Sequence, residues 1–145
     1  MKYVRPITTR YKQRGVAAVE FAMIAALLFT LLFGIMEMSR VLFAMNTATE
    51  ATRLGTRLAV VCDKDAPVIK NKMIDMLGYL TPGNINVVYT PGGCDASSCR
   101  SVTVSITGLT VDTFIPLVPF TLNMPAFSTT LPRESMTSLN NPICT

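Results

Sequence analysis

A long apolar stretch near the N-terminus is the most distinctive part of the sequence. In residues 16–36, Glu20 is the only strongly polar side chain, and Thr30 and Gly34 are the only other non-hydrophobic positions. As an α-helix this stretch would be about 31 Å long, close to the thickness of the hydrocarbon core of a bilayer. The pattern therefore predicts a transmembrane helix.

Helical periodicity continues after this stretch, over residues 37–61. Small or apolar residues recur there at spacings of three and four, as on one buried side of a helix. Such small residues permit close packing, and we expect this stripe to pack on the protein's own C-terminal sheet. Glu37 and Arg40, like Glu50 and Arg53, are three residues apart and can pair on exposed faces. The stripe consists of Val41, Ala44, Ala48, Ala51, Gly55 and Leu58.

The next segment has the pattern of a second, shorter helix. Asp65 is predicted to be its N-cap, and Pro67 falls in its first turn. The sequence Thr-Pro-Gly-Asn at residues 81–84 ends it. Its apolar side is predicted to comprise Ile69, Met73, Met76, Leu77 and Leu80.

Three segments after that helix are predicted to be β-strands. Residues 85–90 are β-branched and apolar, whereas residues 101–107 and 127–133 alternate between apolar and polar positions. Residues 109–125 contain three prolines, so we expect an irregular excursion with a short apolar surface there. The patterns together predict an α+β protein, in which a long N-terminal helix is followed by one helix packed on a three-stranded antiparallel sheet.

The composition indicates a membrane-linked protein that is not an enzyme. The chain is 50% hydrophobic and 15% charged, whereas soluble domains contain about 25% charged residues. It has no histidine, which removes histidine-based general bases, nucleophile activation and metal ligands. The sequence also lacks a phosphate-binding loop, a serine elbow and suitably spaced catalytic carboxylates. We therefore predict no catalytic site, no metal and no cofactor.

The basic charge is concentrated at the N-terminus. Five of the thirteen basic residues lie in residues 1–15, which contain no acidic residue. The rest of the chain has eight basic and nine acidic residues, so it lacks the basic surface that nucleic-acid binding needs. A basic flank before a membrane helix instead places the N-terminus in the cytoplasm. The predicted organisation is a leader (1–15), a transmembrane helix (16–36), its amphipathic continuation (37–61) and an exported domain (62–145).

The boundary between leader and apolar stretch has the features of a processing site. A secretory signal peptide has a shorter apolar region followed by a small-residue cleavage site, and Gly-Ile-Met-Glu at residues 34–37 does not provide one. Gly15, in contrast, lies at the cytoplasmic boundary, and Glu20 follows five residues later. This arrangement resembles the cleavage site of type IV prepilins, which a membrane peptidase cuts after the glycine, here before Val16.

The resemblance extends over residues 13–61, which are similar to the N-terminal half of TadE-like minor pilins. These proteins are pseudopilins of the tight-adherence (Tad, or Flp) pilus system. The parallels are Gly15 and Glu20, the Gly-Ile-Met-Glu step at residues 34–37, Arg40 one turn later, and the run Ala-Thr-Arg-Leu-Gly-Thr-Arg at residues 51–57.

Membership of this family would imply a pilin-like fold and a structural role in pilus assembly, with adhesion and biofilm formation as consequences. The implied location is the bacterial inner membrane, with the C-terminal domain periplasmic or extracellular. The implied partners are a prepilin peptidase, the membrane, and the pilin subunits and assembly machinery that contact the apolar helix. Glu37 and Arg40 join Glu20 as candidate assembly residues. Two alternatives are an uncleaved bitopic protein that binds an envelope partner, and a pilus-tip adhesin that uses residues 109–125.

Glu20 has a candidate ion-pair partner after processing. A carboxylate inside a bilayer is costly. Cleavage would give Val16 a free ammonium, with which Glu20 can pair on its own chain or on a neighbouring subunit. Alternatively, the side chain reaches the membrane surface, since Glu20 lies only about 6 Å of helical rise beyond Val16.

The four cysteines would be exported with the C-terminal domain, where disulfides persist. We favour a local bond between Cys94 and Cys99, in the loop between two strands, and a second between Cys62 and Cys144, which joins the end of the long helix to the C-terminus. Two other pairings are possible. A four-cysteine metal site is disfavoured because no Cys-x-x-Cys spacing occurs, and free buried thiols are the remaining alternative.

Overall fold

One helix, α1, occupies Arg14–Val61 and contains both the apolar stretch and the periodic segment after it. The computed structural model describes residues 14–114 and 120–144, so the predicted leader lies almost entirely outside the described residues. The chain divides after Met36 into two units, the second of which begins at Glu37. The long apolar N-terminal helix predicted from the sequence is confirmed.

The predicted three-stranded antiparallel sheet is also confirmed. The described part of the chain contains five strands: β1 (Ile85–Thr90), β2 (Ser101–Ile106), β3 (Thr110–Asp112), β4 (Thr121–Asn123) and β5 (Phe127–Pro132). Strand β2 is central and pairs with β1 and β5. Its alternation buries Val102, Val104 and Ile106 completely, while the residues between them are only half-buried. One face of the sheet therefore forms the core.

The second unit begins with the periodic part of α1, whose small-residue stripe is buried at all six predicted positions. Thr52 and Thr56 extend the buried side of the helix. The Thr52 hydroxyl lies 2.9 Å from that of Thr129 on β5, and the Thr56 hydroxyl donates a hydrogen bond to the Thr129 carbonyl oxygen at 3.3 Å. The stripe thus packs within the chain, and the buried hydroxyl groups are satisfied across the contact between helix and sheet.

Helix α2 occupies Pro67–Met76, and the predicted N-cap is wrong. Ala66 holds that position, because Asp65 has a φ of +59° and turns the chain before the helix. The Asp65 N–H donates instead to the Tyr89 hydroxyl, at 2.9 Å. Met76 is exposed, contrary to prediction, since the helix ends there. The other predicted apolar residues, Ile69, Met73, Leu77 and Leu80, are buried.

The segment expected to be irregular contains a two-stranded ribbon at its ends, formed by antiparallel pairing of β3 and β4. Val111 is buried in β3, and Asp112 and Thr121 are joined by a side-chain hydrogen bond of 2.9 Å. Two further hydrogen bonds connect Thr113 and Phe120 beyond the paired residues. Residues 115–119, in the middle of that predicted excursion, lie outside the described residues.

The C-terminal segment supplies hydrogen-bond donors to the last turn of α1. The N–H groups of Glu134 and Met136 donate to the Val60 carbonyl oxygen, and that of Thr137 donates to the Val61 carbonyl oxygen. These are carbonyl groups that the last turn of a helix leaves without helical partners. Met136 is itself buried beside them in the core. The tail therefore caps the helix as well as covering the core.

Candidate assembly interface

The apolar stretch of α1 presents its side chains outward. Residues 16–36 are exposed throughout, apart from the half-buried Ala25, and this helix is long and apolar enough to cross a membrane. The Thr30 hydroxyl donates to the Ala26 carbonyl oxygen at 2.8 Å, which satisfies its polar group within the helix. Phe29 and Phe33 stack with ring centroids 6.3 Å apart. The surface is thus suited to lipid or to other apolar helices.

The predicted processing residues lie at the beginning of this helix. Gly15, Val16 and Glu20 are all exposed residues of α1. Val16 and Glu20 are four residues apart and therefore lie on the same side of the helix. A carboxylate at that position can reach either the start of its own helix or a group on a neighbouring one.

Glu37 and Arg40 form an ion pair, but not on an exposed face as the sequence suggested. Arg40 Nη1 donates to both carboxylate oxygens of Glu37, at 3.0 and 3.2 Å. The Glu37 side chain is only 12% exposed, because the N–H of Phe114 also donates to its Oε1 atom, at 3.2 Å. The carboxylate therefore joins the first turn of the second unit to the end of the ribbon. The Glu50–Arg53 pair, at 2.8 Å, is exposed as predicted.

Arg40 lies among aromatic side chains. Its guanidinium carbon is 5.9 Å from the centre of the Phe114 ring, a distance at which the cation is attracted to the ring. A hydrogen bond with Tyr79 and the nearby Glu37 carboxylate raise the pKa of Arg40 above its ordinary value. Arg40 is thus a permanent cation that is held at the surface by three neighbours.

The structure contains the two disulfides that we favoured. Cys62 is bonded to Cys144, with Cα atoms 5.5 Å apart, and Cys94 to Cys99, with Cα atoms 5.0 Å apart. The described residues contain no free cysteine, and they hold no group of three or more His, Cys, Asp or Glu side chains that could bind a metal ion.

Asp95 organises the loop that the Cys94–Cys99 bond closes. Its Oδ1 atom accepts hydrogen bonds from the hydroxyl and N–H groups of Ser97 and Ser98, at 2.7 to 2.8 Å. These bonds, led by that of the Ser97 hydroxyl, hold the pKa of the Asp95 carboxyl well below its ordinary value. The charged form is therefore favoured by folding.

Asp95→Asn should reduce the free energy of unfolding at neutral pH and have no effect in strong acid. A lowered native pKa contributes stability above the unfolded value of about 3.9, and this contribution disappears as the pH falls through the native pKa. We expect the difference in stability between the wild type and D95N to be complete above about pH 5, to narrow as the pH falls below about 4, and to vanish only below the native pKa of Asp95. Urea titrations of the full chain from pH 3 to 7 would measure this, and a constant difference across that range would contradict it.

A comparison with protein-family models identifies the N-terminal part of the chain. Residues 15–57 match the model described as TadE-like protein. Over these residues the sequence is similar to TadE-like proteins. Searches with the whole chain found no matching curated protein and no matching solved structure. The family points to involvement in the Tad pilus system, and the resemblance inferred from the sequence is confirmed.

The TadE-like segment, residues 15–57, contains every predicted processing and assembly residue. These residues do not form one cluster. Gly15, Val16 and Glu20 belong to the first unit, whereas Glu37 and Arg40 belong to the second. Sequence reasoning missed Phe114 and Tyr79, which complete the surroundings of Arg40. Their positions in the sequence give no sign that they lie near Arg40. The prolines after Phe114 indicate only that this segment is irregular.

Proposed function

We propose that the protein is a minor pilin, or pseudopilin, that is processed by a prepilin peptidase and takes part in assembling a tight-adherence pilus. Its role would be structural and not enzymatic. The observation that carries the proposal is the exposed apolar surface of residues 16–36, because it lies within the TadE-like segment. Such a surface needs lipid before assembly and neighbouring apolar helices afterwards.

The proposed orientation places the N-terminus in the cytoplasm and residues 62–145 outside. The basic residues before Val16 favour this orientation. Both disulfides lie after the apolar stretch, and such bonds persist in the oxidising compartment outside the inner membrane. The partners proposed are the peptidase, the membrane, and pilin subunits and machinery that contact the apolar helix.

Cleavage after Gly15 is the step that separates this proposal from a permanent membrane anchor. Intact mass and N-terminal sequencing should be measured on the protein from membranes of cells with and without the prepilin peptidase. We expect a chain that begins at Val16 only when the peptidase is present. Gly15→Val should block this cleavage, whereas Gly34→Val, at the other end of the same stretch, should not.

A chain that still begins at Met1 in both strains would contradict the proposal. The protein would then be an uncleaved bitopic protein, and Glu20 would be a polar residue near the start of a simple anchor. Recovery of the Val16 form from sheared filaments would extend the result from processing to assembly.

A further inference from the structure

The end of the β3–β4 ribbon is an exposed aromatic surface next to a cation. Phe114 is 80% exposed. Phe120 is also exposed, and hydrogen bonds between Thr113 and Phe120 hold the two ends of this surface close together. The Arg40 guanidinium lies over the Phe114 ring. We call Arg40, Phe114 and Phe120 the aromatic end of the ribbon.

The Glu37 carboxylate ties this surface to the first residue of the second unit. It accepts the N–H of Phe114, and it directly follows the last residue of the apolar stretch. Arg40 is only four residues beyond Met36, the last residue of that stretch. The headgroup region of each leaflet is about 5 to 8 Å thick. In a chain anchored by residues 16–36, Arg40 and the Phe114 N–H that is bonded to Glu37 are therefore only a few residues of chain away from the headgroup layer.

The chemistry of the aromatic end suits that layer. Phenylalanine, like tryptophan and leucine, occurs on the apolar face of segments that lie at the boundary between headgroups and acyl chains. A guanidinium binds phosphate through two parallel hydrogen bonds. Arg40 remains 34% exposed in spite of its pairing with Glu37. The apolar surface of α1 also continues past the stretch, because Met38, Leu42 and Phe43 are exposed.

We propose that the aromatic end of the ribbon is an interfacial anchor, which binds the phospholipid headgroup layer on the exported side of the membrane before assembly. The inference rests on the proposed membrane anchoring of residues 16–36. Phe114 and Phe120 enter the boundary between headgroups and acyl chains, and Arg40 contacts lipid phosphate. The hydrogen bond from the Phe114 N–H to Glu37 holds the ribbon in the position that makes this contact.

Tryptophan fluorescence of the full chain tests the proposal, because the protein has no tryptophan of its own. The variant Phe114→Trp would be reconstituted into phosphatidylethanolamine–phosphatidylglycerol vesicles, with and without lipids brominated high on the acyl chain. The matched control is Leu139→Trp, since Leu139 is 79% exposed. Leu139 comes two residues after Thr137, whose N–H is hydrogen-bonded to Val61. Val61 lies about 36 Å of helical rise beyond Glu37, so Leu139 is far from the aromatic end of the ribbon. Phe29→Trp reports insertion of the apolar stretch.

We expect the emission of F114W to be blue-shifted relative to L139W and to lose several-fold more intensity to the brominated lipids. Quenching of F29W but not of F114W would overturn the interfacial anchor while the membrane span stands. Failure of quenching in both would overturn the anchor together with the span. A blue shift of F114W that rises with the protein-to-lipid ratio, without lipid quenching, would assign the surface to a second copy of the chain.

Discussion

Glu20→Ala is expected to remove the protein from sheared filaments while leaving its amount in the membrane unchanged. In the proposed assembly, the Glu20 carboxylate pairs with the Val16 ammonium among packed apolar helices. Loss of one partner of a buried ion pair costs about 3 to 5 kcal/mol. That is enough to reduce incorporation by about a hundredfold or more. Membrane insertion should persist, because alanine makes the stretch more apolar.

The control for this prediction is Glu50→Ala, which removes another glutamate of the same helix. Glu50 is exposed and pairs with Arg53, and such surface pairs contribute only about 0.3 to 0.5 kcal/mol. The E50A variant should therefore enter filaments normally. Quantitative blots of filament and membrane fractions, with intact masses to exclude a defect in cleavage, give the answer. Normal amounts of E20A in filaments would refute the pairing with Val16.

Removing the Cys62–Cys144 bond is expected to destabilise the C-terminal domain by about 4 kcal/mol, and removing the Cys94–Cys99 bond by about 2 kcal/mol. A disulfide restricts the unfolded chain more when it closes a longer loop. The two bonds span sequence separations of 82 and 5 residues. Because a small domain has only a few kcal/mol of stability, the loss of the first bond should leave it largely unfolded near 37 °C.

Paired cysteine-to-alanine variants of the full chain, in mild detergent, provide this comparison. Urea unfolding can be followed by the near-ultraviolet circular dichroism of the tyrosines, including the buried Tyr89. Burial also raises the pKa of Tyr89, so titrations at neutral pH keep its hydroxyl protonated. Equal losses for the two pairs, or a larger loss for Cys94 and Cys99, would contradict the loop-length argument.

Local patterns in the sequence were enough to predict most of the fold. Strict alternation located β2, and the three-to-four spacing located the buried side of α1, because each side chain there faces either the core or the solvent. The turn before α2 could not be predicted in this way. The left-handed conformation of Asp65 depends on the Tyr89 hydroxyl, which lies on a strand that comes later in the chain.

Contacts between distant parts of the chain account for the remaining differences. Glu37 was placed on an exposed face, yet it is mostly buried because it binds the N–H of Phe114, 77 residues away. The sequence pattern does not predict the strands β3 and β4, because each has only three residues and prolines lie nearby. Thr52 and Thr56 are polar, so the sequence pattern alone does not place them in the core. They are buried because Thr129, on a distant strand, accepts or shares their hydrogen bonds. The candidate processing and assembly residues rest on family resemblance, since local periodicity carries no signal for a processing site.

The capping of α1 by the C-terminal tail has a mechanical consequence. Val60 and Val61 are hydrogen-bonded to the tail, and Cys62, directly after them, is covalently bonded to Cys144. Tension that reaches the end of α1 must therefore break these three hydrogen bonds, and it then meets a covalent bond. The disulfide passes the force to the C-terminal end of the domain, so the end of the helix stays attached to the domain after those hydrogen bonds break.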